Sequence, residues 1–249
     1  MRTLTGRSAV VTGGTHGMGL AIARALLDDG AEVVATGRNR DNVGKARAEL
    51  DSPLAHVLRS DAAELTDIDA LAAYVQENLG GLDYLFVNHG IAEIRPFDQV
   101  TEESWDRHFA VNTKGSFFTV QRLAPLLRDG GAIVLTTVAN DSIFPGLSAY
   151  SASKEAITAF AQVLAAELAP RRIRVNTLAP GFIVTPTMGV TGLTEDERAA
   201  FIAQGSETTP LGRNGTPEEI ATAALFLATG ATFTTGVELA VDGGYAQGL

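Results

Sequence analysis

Thr12-Gly13-Gly14-Thr15-His16-Gly17-Met18-Gly19 separates a short apolar run at positions 8–11 from a helical run at positions 20–27. The order of strand, glycine-rich turn and helix is typical of the first unit of a nucleotide-binding α/β fold. A turn without Cβ atoms lets backbone N–H groups and the positive end of the helix approach a pyrophosphate. The glycine spacing is G-x-x-x-G-x-G rather than G-x-G-x-x-G, so the turn alone does not distinguish a nucleotide site from an ordinary connection.

The rest of the chain continues this alternation of apolar strands and helices. We predict strands at 8–11, 32–36, 54–59, 82–87, 132–136, 173–178 and 237–241, and helices at 20–27, 41–50, 65–78, 101–128, 150–168, 194–204 and 217–228. Strands that alternate with helices form right-handed βαβ units and a parallel sheet. The predicted fold is therefore α/β, a Rossmann fold with a doubly wound parallel sheet of about seven strands and helices on both faces. Ligands of such sheets bind beyond the carboxyl ends of the strands.

Length and composition favour a single domain over residues 1–249, because 45% of the 249 residues are hydrophobic and 19% are charged. The formal net charge of −10 argues against binding to nucleic acid or to anionic membranes, since both need a basic surface. The absence of cysteine excludes disulfides, thiolate catalysis and Cys-ligated metals. The N-terminal apolar run ends too soon for a signal peptide and no stretch is long enough to cross a bilayer, so we expect a cytoplasmic protein.

The end of the second predicted strand indicates the type of dinucleotide. A carboxylate at this place binds the ribose 2′-hydroxyl of NAD, whereas a basic residue accommodates the 2′-phosphate of NADP. Here the strand runs into Thr36-Gly37-Arg38, with no carboxylate and with Arg38 directly after it. We therefore predict NADP(H) rather than NAD(H). The alternative is that Arg38 is an ordinary solvated loop residue.

Tyr150 and Lys154 form the second informative pattern. Both stand at the start of an alanine-rich run that continues to Leu168, and residues at i and i+4 share one face of a helix. A nearby ammonium stabilises the phenolate and lowers the pKa of a tyrosine toward a range useful for proton transfer. Such a spacing also arises by chance, so it supports a function only together with the glycine turn.

Five motifs occur in a fixed order along the chain: Thr12-Gly13-x-x-x-Gly17-x-Gly19, Asn88-x-Gly90, Asn112, Tyr150-x-x-x-Lys154 and Asn176-x-x-x-Pro180-Gly181-x-x-x-Thr185. In this order and spacing the chain resembles the classical short-chain dehydrogenases/reductases over essentially its whole length. The resemblance implies that Tyr150 is the general acid or base, that Lys154 holds the ribose and tunes Tyr150, and that Asn112 anchors a water for proton supply.

The same resemblance implies a set of residues that bind the dinucleotide. They are Gly13, Thr15, His16, Gly17, Met18, Gly19, Arg38, Asp61, Ala62, Asn88, Gly90, Tyr150, Lys154, Pro180, Gly181, Ile183 and Thr185. Within it, Asp61 faces the adenine, Asn88 and Gly90 the adenine ribose, and Ile183 and Thr185 the nicotinamide carboxamide. A catalytic metal is not expected, because the four histidines show no paired ligand spacing such as H-x-x-x-H.

The chain departs from the family pattern around its substrate site. Thr137 stands where the family has a serine that binds the substrate oxygen; threonine supplies the same hydroxyl donor with a stiffer side chain. We take Thr137 as the substrate-binding hydroxyl and Ser142 as the reserve. Asp141 is either a contact to a polar substrate group or, more simply, a turn residue. His89, where the family commonly has alanine, is read as packing near the cofactor.

The expected function is an NADPH-dependent reduction of a ketone to an alcohol, with the segment at 187–214 as the substrate loop. Apolar residues in or close to this segment suit a substrate with a hydrophobic portion or simply pack in the core; they are Phe182, Met188, Leu193 and Phe201. A rival substrate is a 3-oxoacyl group on acyl carrier protein, because Arg128 and Arg171 match carrier-docking arginines of relatives. A different class is a non-catalytic NADP-binding regulator. The resemblance also implies a homotetramer, or a homodimer.

Overall fold

The computed structural model of the chain describes residues 3–139, 144–186, 190, 192 and 194–247. These residues form a seven-stranded parallel sheet of order β3-β2-β1-β4-β5-β6-β7. The strands are β1 Ser8–Thr12, β2 Glu32–Gly37, β3 Ala55–Arg59, β4 Leu82–Val87, β5 Leu127–Thr136, β6 Arg174–Pro180 and β7 Glu238–Val241. The α/β fold with a doubly wound parallel sheet is thus confirmed.

Helices pack on both faces of this sheet. They are α1 Gly17–Asp28, α2 Arg40–Leu50, α3 Leu65–Asn78, α4 Glu102–His108, α5 Gly115–Leu123, α6 Ser148–Leu168, α7 Glu195–Thr208 and α8 Pro217–Leu225. A π-helical turn, Phe109–Lys114, joins α4 to α5, and a second, Phe226–Gly230, follows α8. None of the described helices is both long and apolar enough to cross a membrane.

The order of the strands reverses beside β1, and this reversal creates the crevice in which ligands of such sheets bind. Val10 of β1 is paired with Val34 of β2 on one side and with Leu85 of β4 on the other. The glycine turn after β1 and the loop after β4 therefore leave the sheet at the same edge.

Two apolar clusters hold the helices against the sheet. On one face α1 and α8 bury residues such as Leu26 and Ile220, and on the other α5 and α6 bury Leu123 and Ile157. Each of these side chains is almost fully buried, which stabilises the fold by about 1.5–3 kcal/mol per side chain relative to exposure. The loops that form the crevice are thus attached to a well-packed core.

The structure resolves the predicted helical region at 101–128 into separate elements, α4 and α5 with a π-helical turn between them. The region is interrupted by the π-helical turn at Phe109–Lys114 and ends near Pro125, because proline removes a backbone donor. Strand β5 then begins at Leu127 rather than at 132, and it carries Gly130 with φ of +84°. Its pairing with β4 shifts register between Leu82 and Tyr84. Gly130 and Gly131 thus lie within an irregular strand.

Hydrogen bonds between Thr216 and Glu219 cap the start of α8. Thr216 Oγ1 accepts a hydrogen bond from the Glu219 backbone N–H, and the Glu219 carboxylate accepts one from the Thr216 N–H. Pro217 occupies the first helical position. This reciprocal capping box satisfies backbone donors that a helix start would otherwise leave free.

Candidate active site

A cleft of about 630 Å³ opens at the carboxyl ends of the strands. All but one of the predicted dinucleotide-binding residues line it, and they arrive from the glycine turn, the end of β2, the loops after β3, β4 and β6, and the start of α6. The exception is Gly19, where a Cβ would lie 2.1 Å from the Gly13 carbonyl oxygen. Gly19 therefore lets α1 pack closely against the turn instead of lining the cleft.

The glycine turn is shaped to receive an anion. Gly13 and Gly17 have φ of +64° and +54°, a region that favours glycine. A Cβ on Gly13 would lie 2.9 Å from the His89 Cα, and one on Gly17 would lie 3.2 Å from Thr185 Cγ2. Helix α1 begins at Gly17, so its free N–H groups and positive dipole end open into the cleft. The residues present thus fit the pyrophosphate of a dinucleotide.

The adenosine end of the cleft contains Arg38. The Arg38 side chain is exposed in the cleft wall, next to Gly37, against which Thr15 packs so closely that a Cβ there would clash. Asn39 caps α2 by accepting a hydrogen bond from the Asn42 N–H. On the far side of β2, Asp61 Oδ1 accepts a hydrogen bond from the Ala63 N–H and orders the turn after β3.

The loop after β4 is fixed to its neighbours by hydrogen bonds. Asn88 Oδ1 accepts from Thr136 Oγ1 at 3.2 Å, and Asn88 Nδ2 donates to the Gly13 carbonyl at 3.4 Å. His89 lies beneath the turn, with its Nδ1 2.8 Å from Thr12 Oγ1. Burial, together with a smaller effect of the Lys154 charge, lowers the pKa of His89 to about 3, so its imidazole stays neutral. Its place agrees with the predicted packing role.

Asn112 and Lys154 both lie next to Gly90. A Cβ on Gly90 would lie 3.0 Å from Lys154 Nζ and 3.4 Å from Asn112 Oδ1. Lys154 Nζ donates to the Thr136 carbonyl at 2.9 Å. Asn112, within the π-helical turn, accepts from the Ile91 N–H at 2.8 Å and donates to the Ile91 carbonyl.

Sequence reasoning missed one partner of this group, Ser153. Asn112 Nδ2 donates to Ser153 Oγ at 2.9 Å, and Ser153 Oγ donates to the Tyr150 carbonyl at 2.7 Å. Ser153 thereby links the π-helical turn to the first turn of α6. Its place directly before Lys154 is the only signal that the sequence offers.

Tyr150 differs from expectation in its electrostatics. Burial raises the pKa of Tyr150 to about 12 and lowers the pKa of Lys154 to about 8. The predicted lowering of the Tyr150 pKa by Lys154 is therefore not seen in this structure, because the ammonium is directed to the Thr136 carbonyl and burial penalises both charged forms. At neutral pH Tyr150 is a protonated phenol, the form that donates a proton.

One histidine that the sequence left unassigned lies against Tyr150. The His108 and Tyr150 rings meet edge to face at 6.5 Å. His108 Nδ1 donates to the Ser104 carbonyl, and its Nε2 accepts from the Glu93 N–H. Both ring nitrogens are hydrogen-bonded to backbone groups, so the His108 ring is held in place against the Tyr150 ring.

Thr137 lines the cleft, but its hydroxyl points to another partner. Thr136 Oγ1 donates to Asn88, whereas Thr137 Oγ1 donates to Glu238 Oε2 at 2.7 Å. The predicted donor role of Thr137 toward the substrate is therefore not available in this arrangement, because its single proton is taken. The reserve residue Ser142 lies outside the described residues, as do Asp141, Met188 and Leu193.

The two proposed carrier-docking arginines lie away from the cleft. Arg128 stands at the start of β5, the opposite edge of the sheet, and donates to Asp83 at 2.7 Å and to Ser8 Oγ at 3.0 Å. Arg171 donates to Asp129 at 3.0 Å and to the backbone carbonyls of Ala124 and Leu127. Both guanidinium groups thus have internal partners, which weakens the argument for an acidic carrier.

Comparisons with known proteins agree with this arrangement. A family model described as "Enoyl-(Acyl carrier protein) reductase" matches residues 13–246. Galactitol 2-dehydrogenase (L-tagatose-forming) of Cereibacter sphaeroides is 37% identical over 252 residues, covering 97% of this chain and 96% of that one. 2-(S)-hydroxypropyl-CoM dehydrogenase 3 of Xanthobacter autotrophicus is 36% identical over 240 residues, 94% of each chain. The crystal structure of a short-chain type dehydrogenase/reductase from Mycobacterium marinum has a TM-score of 0.88 at 31% identity, with 97% and 96% covered.

Proposed function

Because this chain belongs to the short-chain dehydrogenase/reductase family and is an oxidoreductase, we propose that it reduces a ketone to an alcohol with NADPH, reversibly, using Tyr150 as general acid and base. The observation that carries the proposal is that Tyr150 and Lys154 line the same cleft as the glycine turn, with the buried Asn112 next to Lys154 at Gly90. The relatives named as dehydrogenases of a sugar alcohol and of a hydroxypropyl thioether support an alcohol or ketone as the reacting group.

The reaction follows from the protonation states in the cleft. A bound nicotinamide cofactor would supply the hydride that reduces the carbonyl carbon. The Tyr150 phenol donates its proton to the carbonyl oxygen, and general acid catalysis of this kind contributes about 10²–10⁴-fold to a rate. Lys154 holds the nicotinamide ribose, and Asn112 positions a water through which the proton of Tyr150 is replaced. In the oxidative direction Tyr150 accepts the proton of the alcohol.

NADP(H) is the preferred cofactor in this proposal. Arg38 in the cleft wall supplies the positive charge that a 2′-phosphate needs, and the end of β2 carries no carboxylate that would select a 2′-hydroxyl. Proton exchange at Tyr150 does not depend on this choice, so the catalytic and cofactor parts of the proposal are tested separately.

The decisive experiment compares NADPH and NADH oxidation by the wild type and by Tyr150→Phe across aliphatic ketones, diketones and acetoacetyl thioesters. We expect turnover with NADPH that falls at least 100-fold in the variant, by the magnitude of general acid catalysis, while NADPH binding measured by fluorescence is retained. Binding of NADPH without turnover of any carbonyl would instead favour the non-catalytic regulator. A preference for acetoacetyl thioesters would instead support a 3-oxoacyl group on acyl carrier protein as the substrate.

The protein also forms a homotetramer or a homodimer in this proposal. The described surface leaves several large apolar side chains exposed near the C-terminal strand and on α6, among them Phe226, Phe233 and Val163. Large apolar side chains that stay exposed in the protomer are candidates for contacts between subunits. Light scattering tests this, because a monomer would have a mass of 26.1 kDa. We further propose a cytoplasmic location, which fractionation of the source cells would test.

A further inference from the structure

Three threonine hydroxyls donate to the same carboxylate oxygen, Glu238 Oε2. Thr137 approaches it at 2.7 Å, Thr158 at 3.1 Å and Thr177 at 3.1 Å. The three come from the end of β5, from α6 one turn beyond Lys154, and from β6, and Glu238 itself begins β7. Glu238 therefore connects the helix that carries Tyr150 and Lys154 to the residue that lines the cleft.

Thr137 has one hydroxyl proton, which it donates in a hydrogen bond to the Glu238 carboxylate. The other acceptor within reach is the Leu178 carbonyl at 3.2 Å, and the shorter bond to a carboxylate is the stronger one. A carboxylate accepts hydrogen bonds and never donates them. Although Glu238 is itself exposed, Thr137 is almost fully buried, so water does not compete at the Thr137 end of the bond.

The consequence for the cleft is that Thr137 accepts a hydrogen bond from a bound molecule instead of donating one to it. With its proton on Glu238, Thr137 offers only a lone pair to a bound molecule. An alcohol can accept from the Tyr150 phenol and donate to Thr137 at the same time. A ketone accepts from Tyr150 but has no proton for Thr137, so its oxygen faces an unpaired acceptor.

We propose that Glu238 is a positioning residue that fixes Thr137 as a hydrogen-bond acceptor and so makes the active site bind alcohols more tightly than the corresponding ketones. This inference rests on the proposed function and adds to it a preference between the two reactants. A missing partner for a buried polar group disfavours the poorer ligand by about tenfold in binding. The protein is thus subject to strong inhibition by its own alcohol product when it works as a reductase.

The test compares Glu238→Gln with the wild type, using the ketone of the panel that is reduced fastest and its own alcohol product. A carboxamide can donate to Thr137 Oγ1 and release the threonine proton toward the cleft. We expect the ratio of ketone KM to alcohol inhibition constant to fall about tenfold, with kcat of reduction unchanged or raised. Glu238→Leu removes the acceptor altogether and is expected to shift the ratio in the same direction.

Two controls separate positioning from general damage. Thr158→Val removes another hydroxyl from the same carboxylate and is expected to leave the ratio unchanged. In a Thr137→Val background, Glu238→Gln is expected to have no further effect on the ratio, because a double-mutant cycle isolates the pair. An unchanged ratio in both Glu238 variants, with wild-type unfolding temperatures, would overturn this inference while leaving the reductase in place. If the wild type reduces no ketone, the proposed function itself fails and this inference falls with it.

Discussion

At the scale of single residues, the active site is organised around two groups whose charged forms are unfavourable. Lys154 is buried with a pKa lowered to about 8, and Tyr150 is buried with a pKa raised to about 12. Burial is the cause in both cases, because each charged form loses hydration. In the free protein Tyr150 is thus a neutral phenol, and the Lys154 ammonium loses its proton at a lower pH than an ordinary lysine does.

This arrangement gives Lys154 a measurable cost in stability. The unfolded chain binds the Lys154 proton up to a pKa of 10.5, whereas the folded protein releases it near 8. Between these values the unfolded state binds more protons, so the stability of the fold rises with pH, and below about 8 the full cost remains. The wild type is therefore expected to gain on the order of 3 kcal/mol relative to Lys154→Met as the pH rises from about 7.5 to 10.5.

Urea unfolding of both proteins across that pH range measures the difference. Lys45→Met, at an exposed position on α2, is the control and is expected to show no such gain. A flat difference between wild type and Lys154→Met would mean that the ammonium is better solvated than its burial indicates.

At the scale of elements, the sequence predicted the helix of Tyr150 and Lys154 and the glycine turn, because both follow from local spacing. The π-helical turn at Phe109–Lys114 could not be predicted in this way. A single inserted residue in a helix leaves the apolar pattern nearly unchanged, although it turns Asn112 toward Ile91. The bond between Thr137 and Glu238 joins residues 101 positions apart, and no periodicity reports such a meeting.

The end of α8 shows how an element is closed by a distant side chain. Arg174, the first residue of β6, donates to the backbone carbonyls of Leu227, Ala228 and Ala231. A π-helical end leaves such carbonyls without intrahelical partners, and a cation there is also favoured by the helix dipole. Arg174 thereby fastens α8 to the sheet.

Arg174→Met is expected to lower the free energy of unfolding by about 2–4 kcal/mol, because several partly buried carbonyls lose a charged donor. Chemical denaturation monitored by circular dichroism measures the loss. The matched control is Arg24→Met, which removes only an exposed pair with Glu49 and is expected to cost less than about 1 kcal/mol. Equal effects in the two variants would show that water can replace Arg174 as the donor to these backbone carbonyls.

At the scale of the whole molecule, the order of the strands determines which segments of the chain a bound cofactor joins and thereby stabilises. The cleft is formed by loops that follow strands from the edge of the sheet at β3 to β6, so a dinucleotide bound there joins segments that are far apart in the chain. The parallel sheet and a ligand site beyond the carboxyl ends of its strands were predicted, because alternating strands and helices form right-handed βαβ units. The order of the strands was not predicted, because that handedness is compatible with more than one order. In the proposed function, the preference for NADP(H) depends on Arg38 in the cleft wall, and the fold alone does not specify what Arg38 contacts in the bound state.

Cofactor binding should therefore appear as a change in global stability that depends on Arg38. A ligand at 100 times its Kd stabilises a protein by ~2.7 kcal/mol, which raises the Tm of a domain of this size by about 5–10 °C. We expect NADPH to raise the Tm of the wild type by several degrees more than the same concentration of NADH, because the 2′-phosphate adds a contact to the guanidinium. Arg38→Ala should lose the extra shift with NADPH and keep the shift with NADH. Arg40→Ala, a neighbour that does not line the cleft, should keep both. A wild type stabilised equally by the two cofactors, or an Arg38→Ala protein that still prefers NADPH, would refute the assignment of Arg38 to the 2′-phosphate.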